Sequence, residues 1–304
     1  MTGNRKGLGY GISAYLLWGL FPLYWPLLKP ANALEILAQR MVWSLVLLAV
    51  VLAVTRGFGT VRLLVADRSK LGRLTLAALL VSINWGVYIW SVNNGHVVES
   101  SLGYFINPLF TIMLGVLVLK ERLSRTQWIA VGIATVAIVV LSVDYGRLPW
   151  IALTLALSFG GYGFLKKRVS AGAVESLTVE TAVMAAPALV TLMVLAEQSK
   201  LVFGHAGTAN ALLLAATGVV TALPLLLFGA AARRLPLSSI GLLQYMAPVL
   251  QFAVGVGIRH EPMPLARLLG FALVWIALVV LTADALTRRH RNASLARSAE
   301  AIAA

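Results

Sequence analysis

Polar side chains are scarce in this chain, and the few that interrupt its apolar runs are where chemistry could be done. Of 304 residues, 60% are hydrophobic and only 12% are charged, against about a quarter charged in an ordinary soluble domain. Arg40 stands inside one apolar run. An ionisable group is expensive to hold in hydrocarbon, so such a residue is a candidate functional group by default. In another run Ser100, Tyr104, Asn107 and Thr111 recur at i, i+4, i+7 and i+11, which is one stripe of a helix. Gly241, Gln244, Pro248 and Gln251 recur at i, i+3, i+7 and i+10, with Tyr245 beside Gln244. Asn84, Tyr88 and Ser91 share a face of a further run. Polar groups so placed point into a bundle or a wet cavity; the competing reading is that they hydrogen-bond neighbouring helices.

A cavity lined by Tyr, Trp, Asn and Gln, with few charges, suits a neutral or zwitterionic organic solute. The candidate substrate-binding residues are therefore Arg40, Asn84, Tyr88, Tyr104, Asn107, Thr111, Gln244, Tyr245 and Gln251. Pro108 and Pro248 each remove an amide donor and kink a helix, freeing a carbonyl one turn back. Proton coupling needs an intramembrane carboxylate, for which Glu35, Glu99 and Glu180 are candidates; each stands near the end of a run and a structural role competes. Glu99 is also a candidate partner for Arg40, whose alternative role is a buried structural ion pair.

Catalysis finds little support. His96, His205, His260 and His290 form no metal-binding spacing, and no nucleophile elbow or paired acidic motif appears. Cysteine is absent, which removes disulfides and thiolate metal sites. The glycines from Gly7 to Gly11 lack a following Lys-Ser/Thr and read as close helix packing. Neither an enzyme nor a cofactor or metal is expected.

The elements that must position these groups are membrane spans. Runs of about 20 apolar residues span a bilayer, and ten are read: 8–28, 34–55, 74–92, 97–119, 128–143, 148–165, 177–195, 211–231, 238–258 and 265–283. The first follows Arg5-Lys6 and precedes Ala31-Asn32-Ala33, which resembles a signal peptide, but it is longer than such an apolar core and holds Trp18, Pro22, Trp25 and Pro26. It is read as a retained span.

A repeat with an offset of 140 residues organises the spans. Pro108 and Pro248 are each followed thirteen residues later by Glu121 and Glu261, and Ala137-Ile138-Val139-Val140-Leu141 matches Ala277-Leu278-Val279-Val280-Leu281. The offset also carries Tyr104 onto Gln244, Thr111 onto Gln251, Glu35 onto Glu175 and Arg40 onto Glu180. Five spans per copy, an odd number, invert the second copy across the membrane; such repeats place substrate between the halves and support alternating access. The expected fold is all-α and integral to the membrane, with ten helices in two inverted five-helix repeats, 7–143 and 147–285, and a basic cytoplasmic tail, 286–304.

The net charge of +14 belongs to this topology and not to nucleic-acid binding. With the N-terminus inside, nineteen of the 25 Lys and Arg fall in inner segments and five in outer ones, leaving Arg40 in a span. Both termini are thus expected in the cytoplasm, with the basic segments against anionic lipid headgroups.

Several phrases resemble a known family. Asn84-Trp85-Gly86-Val87-Tyr88-Ile89-Trp90, Ser101-Leu102-Gly103-Tyr104-Phe105-Ile106-Asn107-Pro108-Leu109, Lys120-Glu121-Arg122-Leu123, Leu223-Pro224-Leu225-Leu226-Leu227-Phe228 and Gly241-Leu242-Leu243-Gln244-Tyr245 are similar to the RarD branch of the EamA-type transporters, in the drug/metabolite transporter superfamily. The resemblance covers about 7–285. It implies a bacterial inner-membrane location, a central cavity, and export or permeation of a small organic metabolite or drug. His260 departs from it, standing where a glycine is expected before Glu261. A membrane-embedded enzyme would need a titratable cluster at one membrane face. A non-transporting sensor would need a soluble domain or a long partner-binding loop. Neither is visible, so a secondary transporter leads.

Overall fold

The computed structural model describes residues 2–120, 123–169 and 171–303, with side chains for all of these except 2–4, 115, 119, 237, 238 and 288–303. Glu121 and Arg122 of the repeated phrase lie outside the described residues. Helices run α1 Thr2–Tyr24, α2 Ala33–Thr55, α3 Phe58–Ala66, α4 Arg68–Asn93, α5 Val97–Leu119, α6 Arg125–Tyr145, α7 Trp150–Lys167, α8 Ala173–Glu197, α9 Gly207–Ala232, α10 Leu237–Leu243, α11 Met246–Ala253 and α12 Leu265–Ala303. A 3₁₀ turn, Trp25–Leu28, follows α1, and a π turn, Val254–Ile258, follows α11. No strand occurs among the described residues.

Nine helices among the described residues are long and apolar enough to cross a membrane. The expected span 148–165 coincides with α7, an 18-residue helix that is not among those nine and that ends in Lys166 and Lys167, which lower its apolarity. The protein is an all-α integral membrane protein. Large apolar side chains stand exposed along the spans, such as Val50, Val139 and Val279, as hydrocarbon solvent requires.

Local signals set the boundaries. Asn32 caps α2 by accepting the Glu35 amide at 2.9 Å. Asp67 caps α4 by accepting the Ser69 and Lys70 amides, each at 3.0 Å, and the Lys70 amide leads in holding that carboxyl below its ordinary range. Ser124 and Gln127 form a reciprocal capping box on α6, which Gly146 closes in the left-handed region at φ 64°.

The ninth expected span is not one continuous helix. α10 ends at Leu243 and α11 begins at Met246, so the chain turns at Gln244–Tyr245. The proline at 248 explains where: it has no N–H for the Gln244 carbonyl one turn back. α5, by contrast, runs unbroken through Pro108. The expected tail is helical too, since α12 continues to Ala303.

The chain divides into two compact units. The first comprises Met1–Tyr104 and Ile151–Glu261. In it α2 packs against α8 and α9, α1 against α9 and α11, and α4 against α8. Gly218 permits the α2–α9 approach, because a Cβ there would stand 2.5 Å from the Trp43 carbonyl oxygen. The second unit comprises Phe105–Trp150 and Pro262–Ala304. α6 and α12 pack together in it, Arg267 Nε donates to Asp144 at 2.8 Å, and Phe105, Phe271 and Trp275 form an edge-on aromatic cluster.

Candidate functional site around Arg40

Arg40 is seven residues beyond Ala33, the first residue of α2, so roughly 10 Å along that helix at 1.5 Å per residue. It is 2% exposed. Its Nε donates to the Thr221 hydroxyl at 2.7 Å. Thr221 in turn donates to the Thr217 carbonyl at 2.8 Å, which spends its proton and leaves a lone pair for Arg40. The guanidinium carbon lies 3.7 Å from the Trp85 ring centre, 5.2 Å from that of Trp25 and 5.9 Å from that of Phe21. Nη1 is buried without a hydrogen-bond partner. Among the described residues no carboxylate stands within ion-pairing distance of this cation.

The expected Arg40–Glu99 pairing is therefore not formed. The Glu99 carboxylate accepts the Ile151 amide at 3.2 Å, at the start of α7. Burying an unpaired ion costs several kcal/mol. A desolvated cation–π contact returns about 2 kcal/mol, and one charged hydrogen bond about 1.5–3 kcal/mol. The two together only approach the cost, so Arg40 is held at little or no net gain and with unused capacity for an anion.

Around this cation the structure gathers several of the expected residues. Tyr104 donates to Asn84 Oδ1 at 3.0 Å, and Asn84 Nδ2 donates to the Leu155 carbonyl at 3.0 Å and to Ser158 at 3.1 Å. Tyr88 and Tyr104 meet edge to face at 5.6 Å, and Tyr104 meets Phe159 at 6.0 Å. Tyr88 is buried with Phe21 and Trp25 in one apolar cluster, and its hydroxyl has no partner. The phenols of Tyr88 and Tyr104 are also near enough to Arg40 to interact with it electrostatically.

Other expected residues stand apart. Gln251 is buried, and its Nε2 donates to the Trp18 carbonyl at 3.2 Å. That carbonyl is the one Pro22 cannot serve from one turn on, so Gln251 repairs a proline break in α1. Gln244 and Tyr245 lie half-buried at the turn between α10 and α11. Asn107 and Thr111 belong to the second unit, where Thr111 is exposed and donates to the Asn107 carbonyl at 3.0 Å. Pro108 lies in that unit too, and Pro248 is buried in α11.

The carboxylates hold structure. Glu35 accepts the Val202 amide at 3.0 Å and the Phe203 amide at 2.8 Å. Glu180, buried in α8, accepts from Lys166 at 2.7 Å and from the Tyr162 hydroxyl at 3.2 Å. The crevice between Trp85 and Glu180 is too tight for a water molecule. Glu261, which sequence reasoning used only as a repeat marker, accepts the Val97 and Val98 amides at 2.6 and 2.8 Å, where its charge meets the N-terminus of α5. His260 before it adopts φ 52°, the left-handed region that favours the glycine expected there.

Sequence reasoning also missed Phe21, Trp25, Trp85 and Thr221. Trp85 carried a signal, lying between two chosen residues, Asn84 and Tyr88. Thr221 carried none, since its partner is 181 residues away.

The sequence profile of the EamA-like transporter family matches residues 5–143. Protein RarD of Streptomyces exfoliatus is 57% identical over 99% of this chain and 96% of its own length. The chain belongs to the RarD branch of the EamA-type transporters. Protein RarD of Escherichia coli K12 is 38% identical over 95% of this chain and 98% of its own length. An uncharacterized transporter of Bacillus subtilis, YojE, is 44% identical over 92% and 94%. One solved structure, titled "Crystal structure of protein", matches in fold with a TM-score of 0.56, covering 91% of this chain and 97% of its own at 16% identity. This chain is a multi-pass membrane transporter.

Proposed function

We propose that this chain is a secondary transporter for a small organic metabolite or drug, working by alternating access, with Arg40 and its aromatic surround as part of the solute's path. The observation that carries the reading is a buried, acid-free guanidinium in a span, ringed by Trp85, Trp25 and Phe21. A purely structural arginine in hydrocarbon is normally paired with an acid or with backbone carbonyls, and Arg40 shows neither partner among the described residues. Ten spans in two inverted repeats, 7–143 and 147–285, remain the proposed plan. Supporting it, Glu35 and Glu175 each stand three residues beyond the N-cap of their helices, α2 and α8. Lys120 and His260, also 140 apart, both adopt left-handed backbone, at φ 55° and 52°.

Residence in the bacterial inner membrane with both termini in the cytoplasm completes the proposal, on the bias of basic residues. Glu180 is the carboxylate best placed for proton coupling, because it is buried in the bundle with two proton-bearing groups, Lys166 and Tyr162, donating to its two oxygens. Uptake and efflux in proteoliposomes, against a metabolite panel and with or without a pH gradient, test the function. Flux above protein-free vesicles supports it; no flux of any solute under either condition overturns it.

A further inference from the structure

Three buried hydrogen-bond donors near one another have nothing to donate to: Arg40 Nη1, the Trp25 indole Nε1 and the Tyr88 hydroxyl. Trp25 lies 5.2 Å from the guanidinium carbon and shares an apolar cluster with Tyr88. Orphaned buried donors are rare in folded proteins, and each calls for an explanation. Two of these three can only donate, so what they await is an acceptor. Two protein acceptors there are committed: Thr221 already takes Arg40 Nε, and Asn84 Oδ1 takes Tyr104. Glu180, which lines a crevice with Trp85, is paired with Lys166.

Resting on the transport reading above, we propose that Arg40, Trp25 and Tyr88 recognise the carboxylate of an amphipathic solute, a monoanion or zwitterion. A planar carboxylate offers two oxygens to a guanidinium, leaving lone pairs for an indole N–H and a phenol. One positive charge matches one negative charge, and a phosphate dianion would exceed it. The walls of Phe21, Trp25 and Trp85 suit the apolar part of the same molecule. A solute without the anionic group leaves the donors as unsatisfied as they are now, so the site discriminates against neutral analogues.

Calorimetric titration of the full chain in detergent tests this with matched probes: acetate, 3-phenylpropionate and indole-3-acetate, each against its neutral amide. At least one carboxylate should bind about tenfold or more tighter than its amide. Arg40→Gln should bring that ratio close to one. Trp25→Phe, which keeps an aromatic ring but removes the indole N–H with the rest of the five-membered ring, should weaken the carboxylate about fivefold or more and the amide by clearly less. No preference for any carboxylate, or a preference that survives Arg40→Gln in folded protein, overturns the proposal. Flux in proteoliposomes separates this from the transport reading. Flux of a probe by the wild type with no carboxylate preference removes carboxylate recognition and leaves transport standing; carboxylate preference without flux of any probe sustains the recognition site and removes transport.

Discussion

Replacing Arg40 with methionine should abolish function without unfolding the protein, and the structure lets the balance be worked. The substitution removes one charged hydrogen bond, to Thr221 at 2.7 Å, and one close cation–π contact, to Trp85 at 3.7 Å. Those losses amount to about 1.5–3 kcal/mol and about 2 kcal/mol. Against them stands the relief of an unpaired buried charge, several kcal/mol, while the unbranched methionine keeps much of the packing of the arginine stem. Because no carboxylate pairs with Arg40, its removal strands no opposite charge. The net change in stability is therefore expected within about 1 kcal/mol of zero. Thermal unfolding in detergent, followed by tryptophan fluorescence, should give a midpoint near wild type, beside Arg62→Ala as an exposed control. Solute flux should fall to the level of empty vesicles for Arg40→Met only. Loss of the folded, monodisperse protein on Arg40→Met would instead make Arg40 a strut of the bundle.

Glu261→Ala should destabilise the fold by about 1–2 kcal/mol, because two amides at the start of α5 lose their acceptor; Glu261→Gln, which keeps one acceptor oxygen, should lose less in the same unfolding assay. His260→Gly should stabilise the fold by up to about 1 kcal/mol and so raise the unfolding midpoint, since the left-handed backbone at φ 52° costs a side-chain-bearing residue more than glycine; an unchanged or lowered midpoint would contradict this. Gly218→Ala should cost about 1–3 kcal/mol, as its Cβ would stand 2.5 Å from the Trp43 carbonyl oxygen and force α2 and α9 apart.

Much of this architecture is legible in the sequence, because in hydrocarbon each span must satisfy its own backbone and therefore appears as an uninterrupted apolar run. Expected runs such as 34–55 and 97–119 coincide with α2 and α5 nearly residue for residue. The break at Gln244–Tyr245 was less legible. Pro248 and Pro108 occupy matching places in the repeat, yet only the former's helix is interrupted. Local chemistry says that a carbonyl is freed and leaves open whether the chain turns there.

Partners were harder still. Polar position and depth could be read for Arg40, Asn84, Tyr88 and Tyr104, but not the company they keep. Arg40 was matched to Glu99 because opposite charges suggest pairing, whereas it stacks on Trp85 and bonds Thr221. Glu35, Glu99 and Glu261 each accept backbone amides supplied from distant sequence. Gln251 was chosen for its polar face, and its observed work is to cover the carbonyl that Pro22 exposes.

On the proposed function, a solute passes beside Arg40 in the first unit. That passage is tested most directly by thiol accessibility, since the chain has no cysteine to remove. Single variants Tyr104→Cys and Thr221→Cys probe the site, and Val139→Cys, on an exposed apolar face, is the lipid control. A membrane-impermeant, water-soluble thiol reagent, applied to sealed vesicles of each orientation, should label both site positions from at least one side, and a transported solute should slow that labelling. Val139→Cys should stay unlabelled. Folded protein that resists the reagent at both site positions from both sides would contradict the account and make these residues helix-to-helix contacts.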